Sequence, residues 1–243
     1  MCDLFASVLK TPVNLKSLQE SVSTLEYDSC TSSGFMFKNS QSQLYCTRSV
    51  VHPETLLKNT TDDLIKFAMG HTRHPIVGED SINNTHPIAA EKEFFLVHNG
   101  HIRNWSRLKT KLQGDFYNRK FNTETDSEVF LQMVISYMKL NMPVDEAVSL
   151  AYLDIDGPNT FVIFYDDKFY CMTRHLPLYL FETYNGWHVS SNLKFSDGIY
   201  YEIEKDLLVT IDKDGPVIKF QDGEILDIDY KQKDTSFIDI TDR

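Results

Sequence analysis

Phe161-Val162-Ile163-Phe164-Tyr165-Asp166-Asp167-Lys168-Phe169-Tyr170-Cys171-Met172-Thr173 holds two aromatic and β-branched runs separated by an acidic turn. The pattern predicts strands over 161–165 and 169–173 joined by Asp166-Asp167-Lys168. Downstream the same style continues, with strands expected at 178–181, 187–190, 207–211 and 225–228. Upstream the period changes. Thr125-Asp126-Ser127-Glu128 reads as a capping box, with the Thr125 hydroxyl and the Glu128 carboxylate closing the first turn of a helix. Phe130, Met133, Val134, Tyr137 and Met138 then share one apolar face, and a second helix is expected over 144–152. Residues 94–98 read as a strand ending in the turn signal Asn99-Gly100. Earlier still, 61–68 reads as a short helix, and 34–38 and 43–47 as strands around a polar turn at 39–42. Leu15, Leu18, Val22 and Leu25 have helical spacing after Asn14, a capping residue. Strands and helices fall in blocks rather than in alternation, which favours a largely antiparallel α+β architecture over a doubly wound sheet.

The chain has 243 residues, enough for one large domain or two small ones. Its 24 basic and 35 acidic residues give a net charge of −11, which argues against general binding to nucleic acid or an anionic membrane. No run approaches the ~18 apolar residues of a membrane span. The amino terminus lacks the basic segment and small-residue cleavage site of a signal peptide. Cys2, Cys30, Cys46 and Cys171 form no C-x-x-C pair, so neither a zinc site nor a disulfide framework is expected. The expected setting is cytoplasmic, with no metal and no cofactor.

Four clusters carry chemistry. Cys2 is either an incidental cysteine beside the start codon or, once Met1 is removed, a nucleophile with its own α-amine as base. A free α-amine titrates near ~7.7–8.0 and a thiol near ~8.5, so proton exchange between them is nearly level. The second cluster runs Gly70-His71-Thr72-Arg73-His74-Pro75-Ile76-Val77-Gly78, followed by Asn84-Thr85-His86-Pro87. The third is His98-Asn99-Gly100 and the fourth Thr125-Asp126-Ser127-Glu128. Singly these read as a surface ion pair, a hairpin turn and a helix-start charge.

As an ordered set they resemble the class II glutamine amidotransferases, whose marks are Met-Cys-Gly-Ile, Gly-His-Thr-Arg, Asn-x-His-Pro, His-Asn-Gly and Thr-Asp-(Thr/Ser)-Glu. The resemblance spans residues 2–228 and leaves 229–243 as a short polar tail. It implies a four-layer αββα sandwich of the N-terminal-nucleophile hydrolase type. It also implies roles: Cys2 as nucleophile, Asn99 and the Gly100 N–H as the oxyanion hole, Arg73 for the α-carboxylate of glutamine and Asp126 for its α-ammonium. His86 is implied as a pocket-shaping residue, with a satisfied structural histidine equally compatible. Ile76 and Val77 stand where relatives contact glutamine through main chain. The implied reaction is thioester-mediated hydrolysis of glutamine, with ammonia passed to a separate synthase partner. The alternatives are a hydrolase of another γ-glutamyl small molecule and a catalytically degenerate regulatory subunit.

Three positions depart from the pattern. Asp3 replaces the usual Gly and is expected to raise the Cys2 pKa. Asp28 replaces an Arg of the glucosamine-synthase-like sequences. His74-Pro75-Ile76-Val77 replaces Trp-x-Thr-His, which predicts a different lid over the substrate.

Overall fold

The computed structural model describes residues 2–14, 17, 30–50, 63–91, 93–193, 199–219 and 225–226. They form fourteen strands and three helices. The strands are β1 (Asp3–Asn14), β2 (Ser32–Asn39), β3 (Leu44–Ser49), β4 (Leu64–Arg73), β5 (Ile88–Ala90), β6 (Phe94–Gly100) and β7 (Asn159–Tyr165). They continue as β8 (Lys168–Arg174), β9 (Tyr179–Thr183), β10 (Gly186–Ser190), β11 (Ile199–Glu202), β12 (Leu208–Asp212), β13 (Gly215–Lys219) and β14 (Ile225–Leu226). The helices are α1 (Trp105–Gln113), α2 (Asp126–Met138) and α3 (Val144–Leu153).

Two seven-stranded sheets have the orders β11-β9-β10-β1-β4-β2-β3 and β14-β13-β12-β8-β7-β6-β5. Every pairing among the described residues is antiparallel. Strand alternation sorts side chains into layers. Leu4, Ala6 and Val8 of β1 join Phe67 and Met69 of β4 against Phe95, Val97, Val162 and Phe164 of the second sheet. Leu96, Phe161 and Ile163 point the other way and pack on α1–α3 through Leu108, Phe130, Val134 and Ala151. Phe5, Phe35, Phe37 and Phe181 form a third buried cluster with Leu9, Ile65 and Ala68, on the outer face of the first sheet. The architecture is the expected α+β sandwich. Burial on both faces accounts for continuous apolar runs such as Phe35-Met36-Phe37 in β2 and Phe161-Val162-Ile163-Phe164 in β7.

Several local expectations are corrected. Of the helix expected at 61–68, residues 64–68 belong to β4, and 61–62 lie outside the described residues. Leu64, Ile65 and Ala68 have helical spacing, but pairing with β1 on one side and β2 on the other draws this segment into a central strand. Asn99-Gly100 is no hairpin turn: β6 continues through both and pairs with β7 as far as Gly100↔Asn159. Helix α1 follows and was not expected. The capping box is half formed. Thr125 Oγ1 accepts from Glu128 N at 3.3 Å, whereas the buried Glu128 carboxylate accepts from Asn122 N and Thr123 N. Helix α2 is buried all round rather than on one face, including Ser127, Glu128, Gln132 and Ser136.

Asn14 Oδ1 accepts from Ser17 N at 3.0 Å, as a cap would, and the rest of the 14–25 helix lies outside the described residues. Asp28 and the 229–243 tail lie outside them as well. Asp166 and Asp167 both take positive φ, 49° and 58°, which closes the β7–β8 hairpin as the acidic turn suggested. Among the described residues no helix is long and apolar enough to cross a membrane.

Candidate active site

The start of β1, the ends of β4 and β6, and the first turn of α2 converge on one cleft of about 300 Å³, including its open mouth. Cys2, Arg73, Gly100 and Asp126 line it together with Ile76, Val77 and His86. Asn99 stands just behind, where its Nδ2 donates to the main-chain carbonyl of Cys2 at 2.8 Å. Residues scattered from position 2 to 126 thus meet because β1 and β4 are adjacent in one sheet and β6 faces them from the other.

Cys2 Sγ accepts from the His74 N–H at 3.0 Å. The thiol's pKa is raised, chiefly by burial. The His74 N–H, the amino-terminal charge and the Arg73 guanidinium pull it down, and Asp3 adds the smallest push upward. The expected direction is therefore present but its cause is different. The Asp3 carboxylate is occupied by Ser191 Oγ and Asn192 Nδ2, each at 3.3 Å, and the Asp3 N–H donates to Thr72 Oγ1 at 3.1 Å. Asp3 ties β1 to the 191–192 loop.

Arg73 is 3 % exposed. Its Nη1 donates to Glu79 O and to Asp80 Oδ1, both at 3.2 Å, and its Nη2 to Val77 O at 3.0 Å and Gly78 O at 3.3 Å. Asp126 opens α2, where the helix dipole favours an anion. Its Oδ2 accepts from Ile102 N at 2.8 Å and lies 3.3 Å from His101 Nδ1. Gly100 has φ +136°, and a Cβ there would stand 2.2 Å from the Pro158 carbonyl oxygen, so only glycine fits.

Three buried histidines form the wall. Asn159 Nδ2 donates to Gly157 O at 2.9 Å, so its Oδ1 is the acceptor for His98 Nε2–H at 2.9 Å. His98 Nδ1 is then bare and accepts the Ser127 hydroxyl at 2.8 Å. The Ser127 oxygen in turn accepts from His86 Nε2–H at 2.9 Å. His71 Nε2–H donates to the His98 carbonyl at 3.0 Å. Burial keeps all three rings neutral, this pattern puts the proton on Nε2 in each, and among the described residues the Nδ1 atoms of His71 and His86 have no partner. His86 is thus half satisfied: it lines the cleft and is also fixed to α2.

Burial lowers all three pKa values, that of His71 to about 3. An unfolded histidine titrates near 6.5, so below that pH the unfolded chain takes up protons that the folded wall refuses. Stability is complete above pH 6.5 and falls as pH drops toward the folded values. For His71 the loss is roughly 1 kcal/mol by pH 5.5, and His86 and His98 act in the same direction. Urea unfolding is expected to show a clear loss of stability between pH 7 and pH 5.5. Equal midpoints at the two values would mean that the folded wall accepts protons after all.

A model of the glutamine amidotransferase domain matches residues 57–142. The glutamine–fructose-6-phosphate aminotransferase (isomerizing) of Bartonella henselae is 31% identical over 173 residues, covering 69% of this chain and 27% of that protein. The enzyme of the same name from Bacteroides thetaiotaomicron is 33% identical over 165 residues, covering 65% and 26%. The fold agrees. The glutamine phosphoribosylpyrophosphate amidotransferase of B. subtilis, solved with ADP and GMP, superposes with a TM-score of 0.75 at 17% identity, covering 92% of this chain and 50% of that one. A glutamine aminotransferase class-II domain protein from Silicibacter pomeroyi gives 0.60 at 17% identity, covering 90% and 99%. The chain carries a glutamine amidotransferase domain. It spans about a quarter of the length of the curated relatives it matches.

Within this amidotransferase domain His74, Ile76 and Val77 of the segment after β4 border the cleft. Ile76 is 65 % exposed at the mouth of the cleft, and Val77 holds its place through its carbonyl on Arg73. Sequence reading assigned no role to His71, His98, Ser127, His101 or Asp80. The signal for His98 was present: a histidine ending the apolar run Phe94-Phe95-Leu96-Val97 must find buried partners. Nothing local marked Asp80. Among the described residues of the domain, no group of three His, Cys, Asp or Glu side chains is placed to hold a metal ion.

Proposed function

We propose that this domain hydrolyses the side-chain amide of glutamine through a thioester on Cys2 and delivers the ammonia to a separate synthase. One observation carries the reading: a cysteine sulfur, a buried arginine and a helix-start aspartate line the same cleft. A guanidinium and a carboxylate at fixed separation select a free amino-acid head group, and the sulfur shares their cleft.

Removal of Met1 frees the Cys2 α-amine, which takes the thiol proton. The thiolate adds to the amide carbon. Gly100 N–H and the second N–H of Asn99 Nδ2 stabilise the oxyanion, a donor of this kind being worth ~2.7–4 kcal/mol. The ammonium passes its proton to the departing nitrogen, the C–N bond breaks and ammonia leaves. Water then adds to the thioester, releasing glutamate and restoring the thiol. Arg73 pairs with the α-carboxylate. Asp126 takes the α-ammonium on Oδ1, since its described contacts use Oδ2. The names of the relatives, which transfer an amino group to fructose 6-phosphate or to phosphoribosylpyrophosphate, support transfer of ammonia to an acceptor. The exposed Ile76 at the cleft mouth offers a partner an apolar contact.

A non-catalytic reading has one observation in its favour, the burial that raises the Cys2 pKa. Glutamine hydrolysis by the Met-processed protein separates the two. Arg73→Lys and Asp126→Asn are each expected to raise KM by roughly 10- to 100-fold, the worth of a charged hydrogen bond, with kcat little changed. Both groups contact the head group alike in ground and transition states. A kcat collapse at constant KM in either variant would refute its assigned role. Absence of turnover in the processed wild type, together with no labelling of Cys2 by an electrophilic glutamine analogue, would leave the non-catalytic reading.

A further inference from the structure

Arg73 is already engaged by the protein itself. Of its five N–H donors, four are engaged by the segment that follows β4. Among the described residues only Nε–H has no acceptor. A carboxylate recognised in the two-pronged fashion of a guanidinium needs two donors, so one existing bond must give way.

The four acceptors are not equivalent. Val77, Gly78 and Glu79 offer main-chain carbonyls held by the loop itself. Glu79 O is further fixed by Asn84 Nδ2 at 2.9 Å, and Glu79 N by Glu124 Oε2 at 3.2 Å. Asp80 offers a side-chain carboxylate that is 45 % exposed, against a guanidinium that is 3 % exposed. Rotation of one side chain releases it into water with the three main-chain bonds kept, and removes one tie that holds the 78–81 segment. It is also a chemical equivalent of the group that would replace it. One carboxylate leaves Nη1, another arrives, and the buried cation is never left without a counter-charge. Thr31 sets the resting position: its hydroxyl donates to Asp80 Oδ1 at 2.6 Å, and its N–H to the Arg73 carbonyl at 3.0 Å.

We propose that Asp80 is an internal stand-in for the α-carboxylate of the substrate, so that it competes with glutamine for Arg73 and sets the affinity of the site. This rests on the glutaminase reading, with Arg73 as the carboxylate anchor. Asp80 touches no reacting atom and acts only through Arg73.

The test is Asp80→Asn in the Met-processed protein. Asparagine keeps a side-chain oxygen for Arg73 and Thr31 but removes the charge. Glutamine KM is expected to fall roughly three- to fivefold, the scale of a partly exposed ion pair, with kcat unchanged. Glu79→Gln, which removes a charge next door without touching Arg73 through its side chain, is expected to leave KM unchanged. Hydrogen exchange reads the latch without turnover. Saturating L-glutamate is expected to quicken exchange at residues 78–81 in the wild type and to add little in Asp80→Asn. The proposal is overturned if Asp80→Asn leaves KM unchanged or raises it, if Glu79→Gln lowers KM equally, or if glutamate leaves exchange in this segment unaltered. Loss of turnover and of Cys2 labelling in wild type and variants alike would instead bring down the glutaminase reading.

Discussion

Cys2→Ala is expected to lower glutamine turnover by at least about 10⁴-fold, the scale on which acyl-transfer sites fail when the nucleophile is removed. The structure makes this variant a fair test. Cys2 makes its strand contact through the main chain, with its carbonyl on Asn99 Nδ2 at 2.8 Å, and alanine retains that bond. The lost side chain is small and contacts only the main chain of His74 within hydrogen-bond range. The fold and the Arg73 and Asp126 anchors should therefore persist, and calorimetry should still detect glutamine binding. Intact mass belongs with the assay, since retention of Met1 would block the amine that serves as base. An active protein that keeps Met1, or a Cys2→Ala variant with wild-type turnover, would end the nucleophile assignment. Turnover lost together with binding would point to a structural role for the side chain.

Asn99→Ala is expected to cost about 10²- to 10³-fold in kcat, with KM nearly constant. The reason is that oxyanion charge appears only after the sulfur has attacked, so its donor contributes little to ground-state binding. The structure adds a second consequence. One N–H of Asn99 anchors the Cys2 carbonyl, so the variant also loosens the residue that carries the nucleophile. A buried carbonyl without a partner costs about 1–3 kcal/mol, and thermal unfolding should show a fall in Tm of matching size. A large KM increase with unchanged kcat in Asn99→Ala would remove Asn99 from the oxyanion role.

The strands around Asp166-Asp167, the helix beginning at Thr125 and the block order that excluded a doubly wound sheet were all legible in the sequence, because each depends on neighbours within a few residues. The order of the motifs also picked out residues that the fold brings to one cleft. Tertiary structure alone decided the rest. Residues 64–68 became strand because two partner strands, unseen by local periodicity, satisfy that backbone on both sides. Glu128 left its own cap for Asn122 and Thr123, and α2 lost its solvent face because the second sheet and the other two helices enclose it. The link between Asn99 and Cys2 crosses 97 positions, and that between His98 and Asn159 crosses 61. Contacts of such range leave no periodic trace in a single chain. The same holds for charge. Asp3 drew notice in the sequence, yet burial decides the Cys2 pKa, and Asp80, which drew none, sits on the guanidinium of Arg73. Residue types state which charges exist; the depth of burial and the distance between them, set by the packing of two sheets, state which of those charges act.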